Sequence, residues 1–195
     1  MDATRQAFLD ELYASGRAHD EARADRVQRL RNVEPETAEL LGVLVRALAA
    51  RRVLEIGTSN GYSTIWLADA AEAIGGTVVS LEIEAKRTAQ AQANLREAGV
   101  DGFAELRTQD AGEALAAFAD EAFDLIFLDA ERPHYVSYWP HLLRVLRPNG
   151  LLVVDNTLSH AKELVEFSEL VYSDPSVTST LVTVGAGVLL VVRSR

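Results

Sequence analysis

The stretch that decides the fold is residues 52–63, which read Arg-Val-Leu-Glu-Ile-Gly-Thr-Ser-Asn-Gly-Tyr-Ser. The apolar run from Arg52 to Ile56 predicts a buried strand, and a helical pattern begins at Ser63. Between them, Gly57 and Gly61 allow a tight turn whose backbone can come close to a ligand at the start of the helix. The spacing is G-x-x-x-G and not the G-x-G-x-x-G of nicotinamide-dependent dehydrogenases, so that class of enzyme is the least favoured interpretation.

The alternation of short apolar runs with helical stretches continues on both sides of this unit. A helix is predicted from Pro35, and further helices at 63–73, 84–98, 112–119, 135–146 and 161–173. Further strands are predicted at 77–81, 103–108, 123–128, 151–154, 177–184 and 188–193, the last two flanking a Gly185-Ala186-Gly187 turn. This order predicts an α/β fold with a mostly parallel seven-stranded sheet, helices on both faces and a C-terminal antiparallel hairpin. We expect its first five strands in the order 3-2-1-4-5.

The N-terminal segment differs from the rest of the chain in its polarity. Residues 3–32 predict one or two polar helices that are broken near Ser15-Gly16. Their apolar stripe is thin and consists of Phe8, Leu12, Val27 and Leu30. We therefore expect residues 1–34 to form a helical cap on a main domain at 35–195. A second subunit that covered the same stripe would make the protein a homodimer.

The composition of the chain excludes several classes of function. Its 195 residues are enough for one domain with a sizeable core, and they contain no cysteine, which excludes disulfides, thiolate zinc sites and a cysteine nucleophile. The net charge of −10 repels phosphate backbones, so no nucleic-acid partner is expected. No apolar run reaches transmembrane length and no signal peptide is apparent, so no membrane association and a cytoplasmic location are expected.

Polar side chains follow the second and third predicted strands, at the edge where such sheets bind ligands. Glu82 follows the second strand, and its carboxylate is able to accept both hydroxyls of a ribose. Gln109-Asp110-Ala111 follows the third strand, and the carboxylate there is able to accept from an adenine amino group. Each acid also has a simpler interpretation, a charge at a helix N-terminus for Glu82 and a helix N-cap for Asp110.

A second group of polar side chains follows the fourth and fifth strands. Asp129 comes directly after one strand, and Asp155-Asn156 directly after the other. In the expected strand order these ends are neighbours, so two carboxylates and an amide oxygen lie together. Such oxygen ligands suit Mg²⁺ or a similar divalent cation, although each acid alone could simply cap the helix that follows.

Taken in order, these motifs resemble the divalent-cation-dependent O-methyltransferases, the family of catechol and caffeoyl-CoA O-methyltransferases and their bacterial relatives. The resemblance runs from about Asn32 to Arg193. It also includes the segment Asp129-Ala130-Glu131-Arg132 with Tyr135. The resemblance implies a Rossmann-like class I methyltransferase fold, S-adenosylmethionine as cofactor, a divalent cation such as Mg²⁺, and a small hydroxylated acceptor.

The resemblance also implies roles for individual residues. The loop with Gly57 and Ser63 would hold the methionine part of the cofactor, Glu82 the ribose, and Gln109-Asp110-Ala111 the adenine. The complete cofactor-binding set that it implies is Val33, Glu55, Gly57, Ser59, Gly61, Tyr62, Ser63, Glu82, Gln109, Asp110, Ala111 and Asp129. Asp129, Asp155 and Asn156 fall on the metal ligands of the family.

The chain departs from the family pattern near the acceptor. Arg132 stands where the family usually has a lysine, and arginine is not a practical general base at neutral pH. The segment after Asp155-Asn156 is short, and Ala186 replaces an acid often found between the hairpin glycines. The expected catalytic set is Asp129, Arg132, His134 and His160, with the two histidines as candidate bases and Arg132 either holding an anionic acceptor or pairing with an acid.

Two further hypotheses remain open at this point. The first is a metal-independent small-molecule N- or O-methyltransferase in which Asp155 and Asn156 are structural. The second is a non-catalytic module that binds S-adenosylmethionine or S-adenosylhomocysteine and dimerises through residues 3–32. Dependence of turnover on a metal separates the first from the main prediction, and tight cofactor binding without turnover would support the second.

Overall fold

The computed structural model describes residues 1–25 and 28–194 and shows an α/β fold. Its helices are α1 Ala3–Glu21, α2 Pro35–Ala47, α3 Tyr62–Glu72, α4 Ala85–Glu97, α5 Ala111–Ala117, α6 Tyr135–Val145 and α7 Val165–Ser173. Its strands are β1 Arg52–Ile56, β2 Thr77–Glu82, β3 Ala104–Thr108, β4 Phe123–Leu128, β5 Leu146–Val154, β6 Val177–Val182 and β7 Val188–Arg193. Val27, which the sequence assigns to the N-terminal apolar stripe, lies outside the described residues.

The strands form one sheet in the order β3-β2-β1-β4-β5-β7-β6. The first five are parallel, and β7 pairs antiparallel with both β5 and β6. Every residue of β4 is buried, as is typical of a central parallel strand covered on both faces. The predicted fold class, strand order and closing hairpin are therefore confirmed.

Two apolar clusters hold the helices on opposite faces of the sheet. One cluster joins α1, α2, α3 and α4 through residues such as Leu9, Leu41 and Leu95. The other joins α5, α6 and α7 through residues such as Leu115 and Phe167. Successive strand residues alternate between the clusters because side chains of a strand point to opposite faces. The carboxyl ends of the parallel strands remain uncovered between the two helical layers.

The predicted break at Ser15-Gly16 is wrong, because α1 runs without interruption from Ala3 to Glu21. Gly16 is buried, and a Cβ at this position would collide with the side-chain amide of Asn32. The glycine therefore allows close packing inside the helix, which offsets its cost of about 1 kcal/mol in helix propensity. Earlier in α1, Leu9 is fully buried in the first apolar cluster, and Phe8 and Leu12 of the predicted stripe pack against that cluster, so this chain itself covers part of the apolar stripe.

Four other elements also differ from the prediction at their boundaries. The helix predicted at 161–173 is a short 3-10 turn, Ala161–Glu163, followed by α7. Strand β5 begins at Leu146, where the sequence predicts the end of a helix, and α5 begins one residue earlier and ends two residues earlier than predicted. Strand β6 ends at Val182, two residues before the predicted end. Among the described residues, no helix is both long and apolar enough to cross a membrane.

Candidate active site

A cavity of about 410 Å³ opens at the carboxyl ends of the parallel strands. Backbone hydrogen bonds continue the sheet past these ends, because Asp129 N–H donates to Ile56 O at 3.0 Å and Asp155 N–H to Leu128 O at 3.2 Å. The predicted site residues that line the cavity are Val33, Gly57, Ser59, Tyr62, Ser63, Glu82, Gln109, Asp110, Ala111, Asp129, Arg132, His134, Asp155, Asn156 and His160. Glu55 and Gly61 are the members of the predicted set that do not line it.

The glycine loop is shaped by contacts with its own neighbours. Gly57 has a φ of +109°, and a Cβ there would collide with the backbone carbonyl of Asp129 at the end of β4. Gly61 has a φ of +86°, caps the start of α3 and lies against Ala91 and Leu95 of α4. The two glycines therefore let the loop approach β4 and α4, and this close packing aligns the cavity-facing residues between them.

Glu55 lies beneath this loop and is fully buried. Its carboxylate accepts from Ser63 Oγ at 2.5 Å, from Ser80 Oγ at 2.6 Å and from the hydroxyl of Thr64. Burial raises the pKa of Glu55 to about 7, against the opposing effect of these three hydroxyl donors. The structure thus places Glu55 behind Ser63 and not on the cavity surface.

Glu82 lines the cavity at the end of β2 and is 8% exposed. One oxygen accepts from Ser59 N–H at 2.9 Å and the other from Glu84 N–H at 3.0 Å. The second bond reaches the N-cap residue of α4, as the helix-terminus interpretation requires. The first bond fixes the carboxylate against the glycine loop, and the ribose interpretation of Glu82 stays a prediction.

The end of the cavity beside β3 combines a polar edge with an apolar wall. Asp110 caps α5, since its Oδ1 accepts from Glu113 N–H at 3.0 Å, and it also lines the cavity. Ile83 lies on the cavity wall and is 68% exposed, which is high for a large apolar side chain. Sequence reasoning missed Ile83, although its position directly after Glu82 could have indicated it.

Asp129, Asp155 and Asn156 meet at the other end of the cavity. Asn156 Nδ2 donates to Asp129 Oδ1 at 2.9 Å and to Asp155 Oδ2 at 3.3 Å. Burial, reinforced by the charge of Asp155, raises the pKa of Asp129 well above its usual range, and burial raises the pKa of Asp155 to about 6. The two carboxylates therefore disfavour each other's ionised form.

This donor set fits a divalent cation in its chemistry. Asp155 Oδ1 is buried and has no hydrogen-bond partner among the described residues. Two crowded carboxylates, one of them with such an oxygen, are stabilised by a cation between them, and an amide oxygen adds a third hard ligand. Across residues 1–25 and 28–194, no cluster of three or more His, Cys, Asp or Glu side chains has a metal-ligating arrangement. The amide of Asn156 would therefore have to complete the set, with Oδ1 turned toward the carboxylates in place of the Nδ2 that donates to them here.

Arg132 is 5% exposed and forms an ion pair with Glu163, with 2.7 Å between Nε and Oε2. This confirms the interpretation in which Arg132 pairs with an acid. The pair connects the segment after β4 with the 3-10 turn Ala161–Glu163. His160, directly before that turn, lines the cavity.

The two candidate histidines lie at different ends of the cavity. The backbone N–H of His160 donates to the backbone carbonyl of Asn156 at 3.0 Å, and the ring Nδ1 of His160 lies 2.9 Å from Ser159 Oγ. Burial, and then the charge of Arg132, lower the pKa of His160. His134 stacks on Tyr138, with ring centroids 5.8 Å apart, and Tyr138 lies next to Gly112 at the Asp110 end. The structure therefore groups His160, and not His134, with the carboxylate pair.

A short segment before α2 closes one side of the cavity, and sequence reasoning identified only Val33 within it. Leu30 O accepts from Ser59 Oγ at 2.7 Å, which ties this segment to the glycine loop. Arg31 reaches across to Glu131 with an Nη2–Oε1 distance of 2.8 Å. Both amide atoms of Asn32 are buried without a hydrogen-bond partner in the described part of the chain. No periodicity or motif in the sequence indicated these contacts.

Comparison with known proteins gives a consistent result. The family model described as "O-methyltransferase" matches residues 18–194. A catechol O-methyltransferase of Niastella koreensis is 38% identical over 140 residues, which are 70% of this chain and 63% of that protein. The matched part thus spans less than two thirds of that relative's length. A catechol O-methyltransferase of Mycobacterium tuberculosis is 38% identical over 166 residues, which are 85% of this chain and 73% of that protein.

A solved structure agrees with this assignment. The O-methyltransferase from Bacillus cereus in complex with SAH superposes with a TM-score of 0.81 at 30% sequence identity. The match covers 96% of this chain and 91% of that one. The similarity therefore extends over nearly the whole α/β fold, including the strand ends that form the cavity.

Proposed function

This chain belongs to the O-methyltransferase family, and from that premise we propose that it transfers a methyl group from S-adenosylmethionine to a hydroxyl of a small aromatic acceptor, assisted by a divalent cation. One observation carries the proposal. A single cavity joins Glu82 and Asp110 at one end to the buried pair Asp129 and Asp155 at the other. The first end suits a nucleoside, and the second suits a cation and an oxygen acceptor.

The residues of the first end fit S-adenosylmethionine. Glu82 would accept from the ribose hydroxyls, since a carboxylate held by two backbone N–H groups keeps further acceptor sites. Asp110 with Gln109 and Ala111 would meet the adenine edge, and the exposed side chain of Ile83 would cover its face. Ser63 and the loop from Gly57 would hold the methionine part. The bound cofactor would supply an activated methyl group on sulfur.

The residues of the second end would hold the cation. Asp129, Asp155 and Asn156 would be its ligands, and when bound it would favour the ionised form of an acceptor hydroxyl by direct coordination. Asp129 lies at the end of the central strand β4, where its backbone also contacts the glycine loop at Gly57. It therefore stands between the two halves of the cavity, a position from which acceptor and cofactor can be aligned.

Proton removal from the acceptor would fall to His160. The side chain lines the cavity, and its lowered pKa keeps the ring neutral and able to accept a proton at neutral pH. Ser159 Oγ also lies 3.2 Å from Asn156 Oδ1, so its hydroxyl can donate there while accepting from His160 Nδ1–H. In that arrangement the lone pair of Nε2 is free. Arg132 stays protonated and serves as a fixed positive charge beside the acceptor.

A cofactor-release assay on a panel of hydroxylated aromatic compounds tests the proposal. The enzyme is first stripped with EDTA and then assayed with and without added Mg²⁺ or Mn²⁺. We expect turnover with at least one catechol-like compound, dependent on the added cation. Full turnover in EDTA would instead indicate a metal-independent methyltransferase. Tight cofactor binding without turnover on any acceptor would support the binding-module hypothesis.

Other properties stay predictions. The division into a cap at 1–34 and a domain at 35–195, a cytoplasmic location and the absence of nucleic-acid or membrane partners all await direct tests. A homodimer through residues 3–32 is also retained, although Leu9 of that segment is buried against its own chain. Sedimentation of the intact chain at micromolar concentration tests it, since a single monomeric species would contradict it.

A further inference from the structure

Glu55 is a fully buried acid whose surroundings are neutral hydroxyl groups. Ser63 and Thr64 approach it from α3, and Ser80 approaches it from β2. Thr58 Oγ1 extends this network by a 2.5 Å bond to Ser80 Oγ. Among the described residues, no hydrogen bond or ion pair joins Glu55 to a basic side chain. The carboxylate is therefore well solvated by hydroxyls but its charge is not neutralised.

The charged groups that act on Glu55 are acids. Glu82 at the end of β2 disfavours its ionised form, and Glu55 in turn raises the pKa of Asp129 at the end of β4. The elements packed against the carboxylate, α3 and β2, contribute only hydroxyls to it. Arg31 and Arg132 also line the cavity, but they pair with Glu131 and Glu163, so a cation bound beside Ser63 would act on a carboxylate that has no basic hydrogen-bond partner among the described residues.

We propose that Glu55 is a positioning residue that selects the sulfonium form of the cofactor and releases a proton when that form binds. This inference rests on the proposed function and assigns a role to a residue that the cofactor does not touch. Ser63 links the two, because its hydroxyl bonds to Glu55 and its side chain lines the cavity. The carboxylate would thus be separated by one hydroxyl group from a ligand that is bound against Ser63.

The charge of the ligand gives this arrangement its selectivity. S-adenosylmethionine carries one more positive charge than S-adenosylhomocysteine, because the sulfonium becomes a neutral thioether when the methyl group leaves. Behind the cavity wall, an ionised carboxylate would interact with that charge far more strongly than in bulk water, whereas the α-ammonium of the methionine part is common to both ligands. Glu55 would be ionised beside the substrate form and partly protonated beside the product form, so the product would lack the stabilisation that the ionised carboxylate gives the substrate form.

The direction of the pH dependence follows from the unliganded state. Burial raises the pKa of Glu55 to about 7, so part of the unliganded protein carries the proton near neutral pH. Binding of the sulfonium lowers this pKa, and the carboxyl proton passes to solvent. Affinity for S-adenosylmethionine would thus increase with pH up to about 7 and then level off. Below that pH it would fall by up to about tenfold per pH unit.

Calorimetry of the wild-type chain tests the inference without any acceptor or turnover. S-adenosylmethionine and S-adenosylhomocysteine are each titrated at pH 7 in phosphate, HEPES and Tris buffers, whose ionisation enthalpies differ. The slope of binding enthalpy against buffer enthalpy gives the protons released. We expect release of a measurable fraction of a proton for S-adenosylmethionine and markedly less for S-adenosylhomocysteine. Equal release for the two ligands would overturn the inference, whereas failure of both to bind would overturn the proposed function instead.

Variants assign the proton to Glu55. Glu55→Gln should abolish the difference in proton release and bring the two affinities closer together, and Glu36→Gln, on an exposed turn of α2, should change neither. Ser80→Ala keeps the carboxylate but removes a donor that stabilises its charge, so the pH midpoint of binding should move upward. If Glu55→Gln does not fold, Ser80→Ala decides the question. An unchanged midpoint in Ser80→Ala would contradict the inference.

Discussion

Replacing Glu82 by alanine should weaken S-adenosylmethionine binding without unfolding the protein. The carboxylate is 8% exposed, lines the cavity, and accepts backbone N–H groups of Ser59 and Glu84. A charge-assisted hydrogen bond from a ribose hydroxyl to this carboxylate would contribute about 1.5–3 kcal/mol to cofactor binding. Since about 1.4 kcal/mol corresponds to a tenfold change, the dissociation constant should increase by about 10- to 150-fold. Isothermal titration calorimetry at one fixed pH measures this change.

The same substitution should also lower thermal stability to a measurable extent. Without the carboxylate, the Ser59 N–H of the glycine loop loses its acceptor, at a cost of about 1–3 kcal/mol if water does not replace it. In a chain of this size each kcal/mol corresponds to about 2–4 °C in the melting temperature. Binding must therefore be measured well below the melting transition of the variant, and circular dichroism should confirm that the fold is intact.

Two companion variants separate charge from contact. Glu82→Gln keeps one acceptor oxygen and should fall between the wild type and Glu82→Ala in affinity. Glu97→Ala removes the same charge from an exposed position at the end of α4 and should change the dissociation constant by less than about twofold. A folded Glu82→Ala protein with wild-type affinity would refute the assignment of the ribose to this strand end.

Three further predictions concern other parts of the chain. Asp155→Ala should remove most turnover but leave cofactor affinity within about twofold, because the expected cofactor contacts lie mainly at other strand ends. The release assay measures turnover and calorimetry measures affinity, and an equal loss of both would contradict this prediction. Gly57→Ala should weaken cofactor binding and lower the melting temperature, because the added methyl collides with the Asp129 carbonyl at a φ of +109°. Unchanged binding there would mean that the loop does not hold the cofactor. Arg5→Ala should lower the free energy of unfolding by about 1–3 kcal/mol, since Arg5 Nη1 binds Asp69 Oδ1 at 2.5 Å and so connects α1 to α3. Urea denaturation measures this free energy, and an unchanged value would refute a structural role for the pair.

The fold was largely predictable because it depends on patterns that the sequence states directly. The apolar run at 123–128 and the G-x-x-x-G loop each mark a strand and its end, and the parallel order follows from the alternation with helices. Polar residues directly after strands then fall at one edge of the sheet by topology alone. For this reason, the sequence alone predicts that Asp129 and Asp155 lie close together.

The parts that could not be predicted depend on tertiary contacts. Gly16 resembles a helix breaker in the sequence, but it lies inside α1. Its missing side chain leaves room for the amide of Asn32, which packs against it from the segment before α2. Glu55 belongs to the same motif as Gly57, and no spacing rule shows that it faces Ser80 and not the cavity. The pairing of Arg132 with Glu163 joins residues 31 positions apart through a loop whose path the sequence does not define.

Under the proposed function, that ion pair gives Arg132 a different role from the lysine that the resemblance implies at this position. A lysine in the cavity can lose its proton when burial lowers its pKa, but Arg132 keeps its charge and is held in place by Glu163. Its field in turn lowers the pKa of His160, which lies beside Asn156 and lines the same cavity. Under the proposed function, the work of one lysine is thereby divided, with Arg132 supplying the positive charge and His160 accepting the proton. Both groups lie on the segment directly after Asn156, where His160 N–H donates to Asn156 O and Glu163 N–H donates to His160 O, so this segment itself brings them to the end of β5 beside Arg132.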